Sequence, residues 1–207
     1  EAKSRRLPGS ADVFRFDKPA GFDDCALVRD LYIHRLTELI VRCGSRNHLS
    51  IGGLIGTMES FLCQCFRPHL ERIVVCDVDL ASYNADRDMG SYCYRNVCGT
   101  RYGAFQKQFI YIRDNSMTDR ARATLKALGP FDSVFVDGEH SRVAVLSDMQ
   151  VASEILSPGG TIFVHDLELP GDVVRGYREW LAAHPEWSHA EIPGAHFLHG
   201  LGIVQRG

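Results

Sequence analysis

The sequence predicts an α/β fold in which a mostly parallel sheet of seven strands has helices on both faces. Five short apolar runs alternate with helix-length segments, which is typical of a right-handed parallel sheet. The last two apolar runs have no helix between them, which indicates an antiparallel hairpin at the edge of the sheet. A chain of 207 residues can bury a sizeable core, so we expect residues 1–207 to form one domain.

The elements follow one another in a regular order. Residues 1–21 are polar and contain Pro8, Gly9 and Pro19, so we expect an N-terminal arm or lid. Predicted helices cover residues 24–43, 57–66, 118–128 and 173–183, with further helices after Asp79 and between the fourth and fifth strands. Predicted strands cover residues 49–51, 73–75, 109–112, 133–136, 161–164, 188–192 and 201–205.

The fourth and fifth predicted strands end in the chemically most active side chains. Asp137 and His140 follow the fourth strand, and His165 and Asp166 end the fifth. A helix-length segment and a turn at residues 157–160 connect the two strands, which should therefore be parallel neighbours. Their polar ends then meet at the carboxyl edge of the sheet, where open α/β folds bind ligands. We expect a functional site made of two carboxylates and two histidines.

A glycine loop follows the first predicted strand. Gly52, Gly53 and Gly56 open the next helix and let the backbone approach a bulky ligand closely. An acid at the end of the second strand, about twenty residues further on, is suited to hold ribose hydroxyls. Asp77 occupies that position, and Asp79 is the alternative. The loop lacks the GxGxxG spacing, so it favours a nucleotide-like cofactor other than a dinucleotide, with a plain tight turn as the other interpretation.

Composition excludes several classes of partner. The formal net charge of −3 argues against nucleic acid or an anionic membrane surface, and no apolar run reaches the length of a membrane span. The chain has seven cysteines, an odd number, and no CxxC pair. This pattern predicts reduced thiols and a cytoplasmic protein without a structural zinc site.

The order of the elements resembles the class I S-adenosylmethionine-dependent methyltransferase fold, a Rossmann-like sheet whose seventh strand inserts antiparallel beside the fifth. The resemblance covers nearly the whole chain from about Asp24. The segment DGEHSRVAVLSDMQVASEILSPGGTIFVHD is similar to the family that includes macrolide and aminocoumarin sugar O-methyltransferases and cephalosporin hydroxylase-like proteins. Catechol O-methyltransferases are more distant relatives with a similar metal site. The resemblance implies that S-adenosylmethionine is the cofactor.

The resemblance also assigns residues to that cofactor. It implies that the glycine loop shapes the cofactor site and that Asp77 binds the ribose. Family members usually carry an acid where this chain has Ser50, and Glu59 or Ser60 is expected to compensate at the amino-acid end of the cofactor.

After the third strand, Asp114, Asn115 and Ser116 match the positions used around the adenine. The side-chain oxygen of Asn115 can accept a hydrogen bond from the adenine amino group. A capping turn for the next helix is the other interpretation of these residues.

Methyl transfer from a sulfonium is an in-line displacement, so the enzyme must mainly position the acceptor and remove its proton. By resemblance, Asp137 and Asp166 match metal-binding carboxylates, and His165 is the third candidate ligand. A divalent cation lowers the pKa of a hydroxyl, and a nearby base accepts its proton. We predict that His140 is the general base. Asp137 is the alternative base if no metal binds.

The identity of the metal depends on His165. Carboxylate ligands favour Mg²⁺, which is the expected ion. Relatives often carry adjacent acids at the end of the fifth strand, whereas this chain has His165 and Asp166. An imidazole ligand favours Mn²⁺, Fe²⁺ or Zn²⁺, and a site without metal is also open.

The sequence therefore predicts an O-methyltransferase that acts on a hydroxyl of a small natural product, a sugar or a phenol. A nicotinamide-dependent oxidoreductase and a non-catalytic binding subunit of similar fold are the alternatives. The short N-terminal arm is consistent with a homo-oligomer in which a partner chain helps to close the site. Residues that could border the acceptor are Tyr83, Tyr92, Tyr94, Tyr102, His196 and His199.

Overall fold

The computed structural model describes residues 30–53, 56–66, 70–78, 109–194 and 199–206. The helices in these ranges are α1 (Asp30–Arg42), α2 (Thr57–Phe66), α3 (Asp119–Leu128), α4 (Arg142–Ile155) and α5 (Val173–Ala183). The strands are β1 (Asn47–Ile51), β2 (Arg72–Asp77), β3 (Phe109–Arg113), β4 (Phe131–Val136), β5 (Leu156–His165), β6 (Trp187–Ile192) and β7 (Leu201–Arg206).

These strands form one sheet in the order β3-β2-β1-β4-β5-β7-β6. Strands β1 to β5 pair in parallel, whereas β7 is antiparallel to both β5 and β6. The predicted fold class is confirmed, including the antiparallel insertion of the last strand beside β5. From β1 the chain continues to β2 and β3 on one side of the sheet, whereas β4 and β5 lie on the other side of β1. A crevice therefore opens at the carboxyl ends of β1 and β4, where this kind of sheet binds ligands.

Both faces of the central strands are buried, which explains their nearly continuous apolar sequence. Neighbouring residues of a strand point to opposite faces, and each face has its own core. Val134 packs in a cluster with Met149 of α4, whereas Phe135 packs in a second cluster with Leu62 of α2. The central strands are thus held between two helical layers, which fixes the positions of the polar residues at their ends.

The boundaries differ from the prediction mainly at β5. This strand includes residues 157–160, which were predicted to form a turn. The register between β4 and β5 shifts between Phe131 and Ser133, so the added residues bulge out of the ladder. Gly159 in the bulge has a φ of +77°, which explains why the segment has the sequence of a turn although its backbone pairs in part.

The predicted helix at residues 118–128 starts one residue later than expected, because Thr118 is its N-cap and accepts the Ala121 N–H. The predicted arm at residues 1–21, Asp79, the four candidate tyrosines and His196 lie outside the described residues. Among the helices that are described, none is long and apolar enough to cross a membrane.

Candidate active site

The glycine loop after β1 fits against the ends of the neighbouring strands. Gly52 has a φ of +85° and donates its N–H to the Cys76 carbonyl at 2.9 Å. A Cβ atom on Gly52 would lie 2.1 Å from the carbonyl oxygen of Asp137. A Cβ atom on Gly53 would lie 2.4 Å from Cγ1 of Val75. Side chains are therefore excluded from the start of the loop both by the backbone conformation and by direct contact.

Asp77 lies at the end of β2 beside this loop, as predicted. Its carboxylate accepts the Gly53 N–H at 2.8 Å, and its side chain is buried. The register of β2 and β3 places the next strand end alongside, where the Asp114 N–H donates to the Asp77 carbonyl at 3.0 Å. The strand ends that were predicted to hold a nucleotide-like cofactor are thus adjacent in space.

Asp114, Asn115 and Ser116 form a turn that leads towards α3. The Asp114 carboxylate pairs with Arg120 at 2.6 Å, and the Asn115 side-chain oxygen accepts the Met117 N–H at 2.9 Å. These bonds match the alternative interpretation of this segment as a turn before a helix, although Thr118 is the capping residue itself. Contacts of the three residues with an adenine ring stay a prediction.

Ser116 leads to a buried acid that was not predicted to belong to the site. Its hydroxyl donates to the Asp148 carboxylate at 2.6 Å, and burial raises the pKa of Asp148 to about 6. Asp148 also lies under Gly138, whose Cβ would be 3.4 Å from Oδ2 of Asp148. The sequence signal for Asp148 was its position in the middle of an apolar helix. A carboxylate that is buried there needs a polar partner, which indicates a contact with another part of the site.

The acidic and imidazole side chains at the ends of β4 and β5 meet as predicted. Nε2 of His140 lies 3.1 Å from Oδ2 of Asp166 and 3.8 Å from Oδ1 of Asp137. Nδ1 of His165 lies 3.0 Å from Oδ1 of Asp166 and 3.4 Å from Oδ1 of Asp137. Asp166 and His165 are mostly buried, whereas about half of the His140 side chain is exposed. His140 is therefore the member of this cluster with the most open approach.

The backbone at Asp166 adopts a conformation that is uncommon for residues with a side chain. Its φ is 63°, in the left-handed region, where aspartate and asparagine are tolerated better than other non-glycine residues. The Asp166 carbonyl accepts the Leu169 N–H at 3.2 Å in the turn after β5. This turn directs the carboxylate of Asp166 back towards the end of β4 and the imidazole of His140.

The carboxylates control protonation in this cluster. The carboxylates of Asp137 and Asp166 raise the pKa of His140 to about 10. Burial lowers the pKa of His165, but the nearby carboxylates of Asp137 and Asp166 outweigh it and raise the pKa to about 10. Burial favours the neutral form of Asp166, yet the two neighbouring histidines hold its pKa far below the usual range. In this cluster the carboxylates thus stabilise the protonated histidines, and the histidines stabilise the ionised carboxylate of Asp166.

Three of these side chains lie close enough together that they could hold a divalent cation. Asp137, His140 and Asp166 each offer one ligand atom, and these atoms lie within 4.8 Å of one another. The expected ligand set had His165 as the third member, whereas among the described residues His140 completes the converging group. Two carboxylate oxygens and one imidazole nitrogen suit a first-row transition metal as well as Mg²⁺.

This sheet order, with a glycine loop after β1 and an acid at the end of β2, defines the class I methyltransferase fold. The family model described as "Methyltransferase domain" matches residues 49–167, more than half of the chain. The chain therefore belongs to this methyltransferase family. The predicted S-adenosylmethionine-dependent methyltransferase is confirmed at the level of family and fold, and the oxidoreductase alternative has no support from the family match.

Solved structures with the same fold include several O-methyltransferases. The O-methyltransferase from Bacillus cereus in complex with SAH has a TM-score of 0.66 at 18% identity, over 88% of this chain and 84% of that chain. TomG from Streptomyces achromogenes, an O-methyltransferase of tomaymycin synthesis in complex with SAM, has a TM-score of 0.63 at 18% identity, over 89% and 91%.

CalS11, a TDP-rhamnose 3′-O-methyltransferase of calicheamicin biosynthesis, has a TM-score of 0.60 at 13% identity, over 83% and 77% of the two chains. At these identities the similarity shows the fold alone. A search of curated protein sequences finds no significant match.

Proposed function

We propose that this protein transfers the methyl group of S-adenosylmethionine to a hydroxyl group of a small natural product, a sugar or a phenol. One observation carries the proposal: the glycine loop with Asp77 and the Asp137–His140–Asp166 group lie at the carboxyl ends of adjacent strands. A cofactor held at the first would present its methyl group to an acceptor held at the second. Membership of the methyltransferase family supports the reaction, and the names of the structural neighbours support oxygen as the acceptor atom.

In this proposal the cofactor lies across the carboxyl ends of β1, β2 and β3. Asp77 accepts hydrogen bonds from the ribose hydroxyls, because its carboxylate is fixed beside the loop by the Gly53 N–H. Gly52 and Gly56, both with positive φ, let the backbone pass close to the cofactor. The turn from Asp114 to Ser116 borders the adenine.

Asp137 and Asp166 would hold a divalent cation with His165 as the third ligand, which leaves His140 to act as the base. The bound cation would lower the pKa of the acceptor hydroxyl and fix its position. Mg²⁺ is the ion expected for the carboxylates, and an imidazole ligand shifts the preference towards Mn²⁺, Fe²⁺ or Zn²⁺.

His140 is the proposed general base. Its Nε2 atom faces the two carboxylates, and its exposed edge is open to an acceptor. Without a cation the carboxylates keep the imidazole protonated, as its raised pKa indicates. Positive charge near Asp137 and Asp166 would offset that effect, so His140 would be neutral and ready to accept a proton.

Transfer of labelled methyl groups tests the proposal. The protein is incubated with radiolabelled S-adenosylmethionine and a panel of nucleotide sugars and phenols, with Mg²⁺ or Mn²⁺ present, and products are identified by mass spectrometry. We expect a product one methyl group heavier than its acceptor, with the label on oxygen. Transfer of the label only to nitrogen, sulfur or carbon acceptors would contradict the oxygen assignment.

A further inference from the structure

A chain of buried polar side chains runs along β1 from one end of the strand to the other. The hydroxyl of Ser45 lies 2.6 Å from that of Ser133, which lies 2.6 Å from Nδ1 of His48. Nε2 of His48 lies 3.0 Å from the hydroxyl of Ser50, which in turn bonds to the carboxyl group of Glu59 in α2. All five side chains are buried. We refer to them as the buried polar chain.

The hydrogen bonds of this chain have one consistent direction. Burial lowers the pKa of His48 to about 3, so the imidazole is neutral, with one donor and one acceptor nitrogen. The Ser50 hydroxyl donates to Glu59, and it therefore accepts from Nε2–H of His48. Nδ1 then accepts from Ser133, which accepts from Ser45. Every donor points towards Glu59, so the buried polar chain orients that carboxyl group.

One carboxyl oxygen of Glu59 has no hydrogen-bond partner among the described residues. Oε2 is buried and makes no hydrogen bond to any described residue. The electrostatic neighbours of the carboxyl group are Asp77 and Asp137, at the ends of β2 and β4 on the two sides of the glycine loop. A buried carboxyl oxygen without a partner is costly, and nearby acids add to the cost of its charge. A cationic donor group bound at the loop would satisfy both requirements.

We propose that Glu59 recognises the ammonium group at the amino-acid end of the cofactor, with the buried polar chain holding its carboxyl group in place. This inference rests on the proposed use of S-adenosylmethionine. The ammonium group offers three N–H donors and a positive charge, which match Oε2 of Glu59 and the acids around it. Glu59 thus supplies, from α2, the anionic contact that Ser50 at the end of β1 does not.

Ser60 was the other candidate for this contact. Its side chain is buried in the same turn of α2, but the bond between Ser50 and the carboxyl group connects β1 to Glu59. A serine hydroxyl also carries no charge to compensate an ammonium group. Glu59 is therefore the residue whose chemistry fits.

Three ligands separate recognition of the ammonium group from a general effect on the site. S-Adenosylmethionine and S-adenosylhomocysteine carry the amino-acid end, whereas 5′-methylthioadenosine keeps only the nucleoside and the thioether. Dissociation constants are measured by calorimetry for the wild type, Glu59→Gln, Ser50→Ala and the control Glu154→Gln, whose side chain is exposed on α4. Thermal unfolding checks that each variant is folded.

We expect Glu59→Gln to lower the affinity for S-adenosylmethionine and S-adenosylhomocysteine by about 10- to 100-fold. This is the usual contribution of a hydrogen bond to a charged group. Its affinity for 5′-methylthioadenosine should stay within about twofold of the wild type, within ordinary non-specific variation. Ser50→Ala should show the same selectivity with a smaller loss, and it keeps the test valid if Glu59→Gln does not fold. Unchanged S-adenosylmethionine affinity in Glu59→Gln, or an equal loss for all three ligands, overturns the inference. A wild type that binds none of the ligands instead refutes the proposed cofactor.

Discussion

Nε2 of His140 lies 3.1 Å from Oδ2 of Asp166, although the two residues follow different strands. The parallel pairing of β4 and β5 brings the two strand ends together, and the left-handed turn at Asp166 directs its carboxylate towards His140. This contact joins the proposed base to a proposed metal ligand. In the proposed reaction, proton transfer depends most on this contact.

Replacing His140 with glutamine should lower kcat by about 10²- to 10⁴-fold, the usual contribution of a general base. The affinity for S-adenosylmethionine should not change, because His140 lies outside the proposed cofactor contacts. Steady-state kinetics and calorimetry measure the two effects. His189→Gln, at an exposed position of β6, is the matched control. If His140→Gln keeps nearly full kcat, another group accepts the proton.

Replacing Asp166 separates its chemical role from its backbone role. Asp166→Asn and Asp166→Ala should both abolish the contribution of the carboxylate to metal binding. Alanine should cost about 1 kcal/mol more stability than asparagine, since asparagine is tolerated at the observed φ of 63°. Urea unfolding of both variants measures the difference. Equal stabilities would mean that the left-handed backbone is not maintained in solution.

The glycine loop allows a comparison of two glycines with similar backbone. The Gly52→Ala variant should unfold at a lower urea concentration than the Gly159→Ala variant. It should also bind S-adenosylmethionine with lower affinity. Both residues have positive φ, which costs about 1–2 kcal/mol for alanine. Only at Gly52 would the new Cβ meet the Asp137 backbone, whereas nothing lies within 4 Å at Gly159. Similar losses in the two variants would show that the loop can relax around the added atom.

The pH dependence of stability should depend on Glu59. Burial, with the charges of Asp77 and Asp137, raises its pKa from 4.5 to about 7 in the folded protein. Between these values the folded state binds the proton of Glu59 more tightly than the unfolded state does. The contribution of Glu59 to the free energy of unfolding is therefore present below pH 4.5 and is lost as pH rises through 7. Relative to Glu59→Gln, the wild type should lose on the order of 3 kcal/mol over this range.

The opposite titration of His48, whose lowered pKa favours the fold above pH 6.5, is present in both proteins and cancels in the comparison. Urea unfolding of both proteins from pH 4 to 8 gives the difference. A constant difference across this range would contradict the burial of the Glu59 carboxyl group.

Removal of metal tests the role of Asp137. Dialysis against a chelator should abolish activity, and Mg²⁺ or Mn²⁺ should restore it if Asp137 and Asp166 hold the ion. Asp137→Asn should bind Mn²⁺ more weakly by electron paramagnetic resonance, whereas Asp119→Asn, in an exposed turn of α3, should not. Full activity after chelation would contradict the role of a metal, and His140 or Asp137 would then have to remove the proton without one.

Most of the fold could be predicted because each strand is a short apolar run that ends in a polar residue or a glycine. Asp77, Asp137 and Asp166 could be predicted for the same reason, since acids at the ends of parallel strands meet at one edge. The bulge at residues 157–160 could not, because proline and glycine predict a turn whether or not the backbone also pairs. The single domain, the cytoplasmic location and a homo-oligomer stay predictions.

Of the buried polar chain, the sequence singled out Ser50 and Glu59, but not Ser45, His48 or Ser133. His48 and Ser133 are distant in sequence, and only the register of β1 and β4 makes them direct neighbours. A polar residue inside an apolar strand is a weak signal, because its partner depends on that register. The sequence could point to Glu59 as a substitute for the acid missing at Ser50, but not to the hydrogen bonds that orient its carboxyl group.

Calorimetric titration of the folded protein with S-adenosylmethionine tests the central claim most directly. We predict saturable binding at one site per chain, with an affinity that Asp77→Asn lowers and that the control Asp119→Asn leaves unchanged. Asp77 is held beside the glycine loop, so its loss should remove the ribose contact without disturbing the sheet. Failure of the well-folded wild type to bind S-adenosylmethionine would contradict the proposed function.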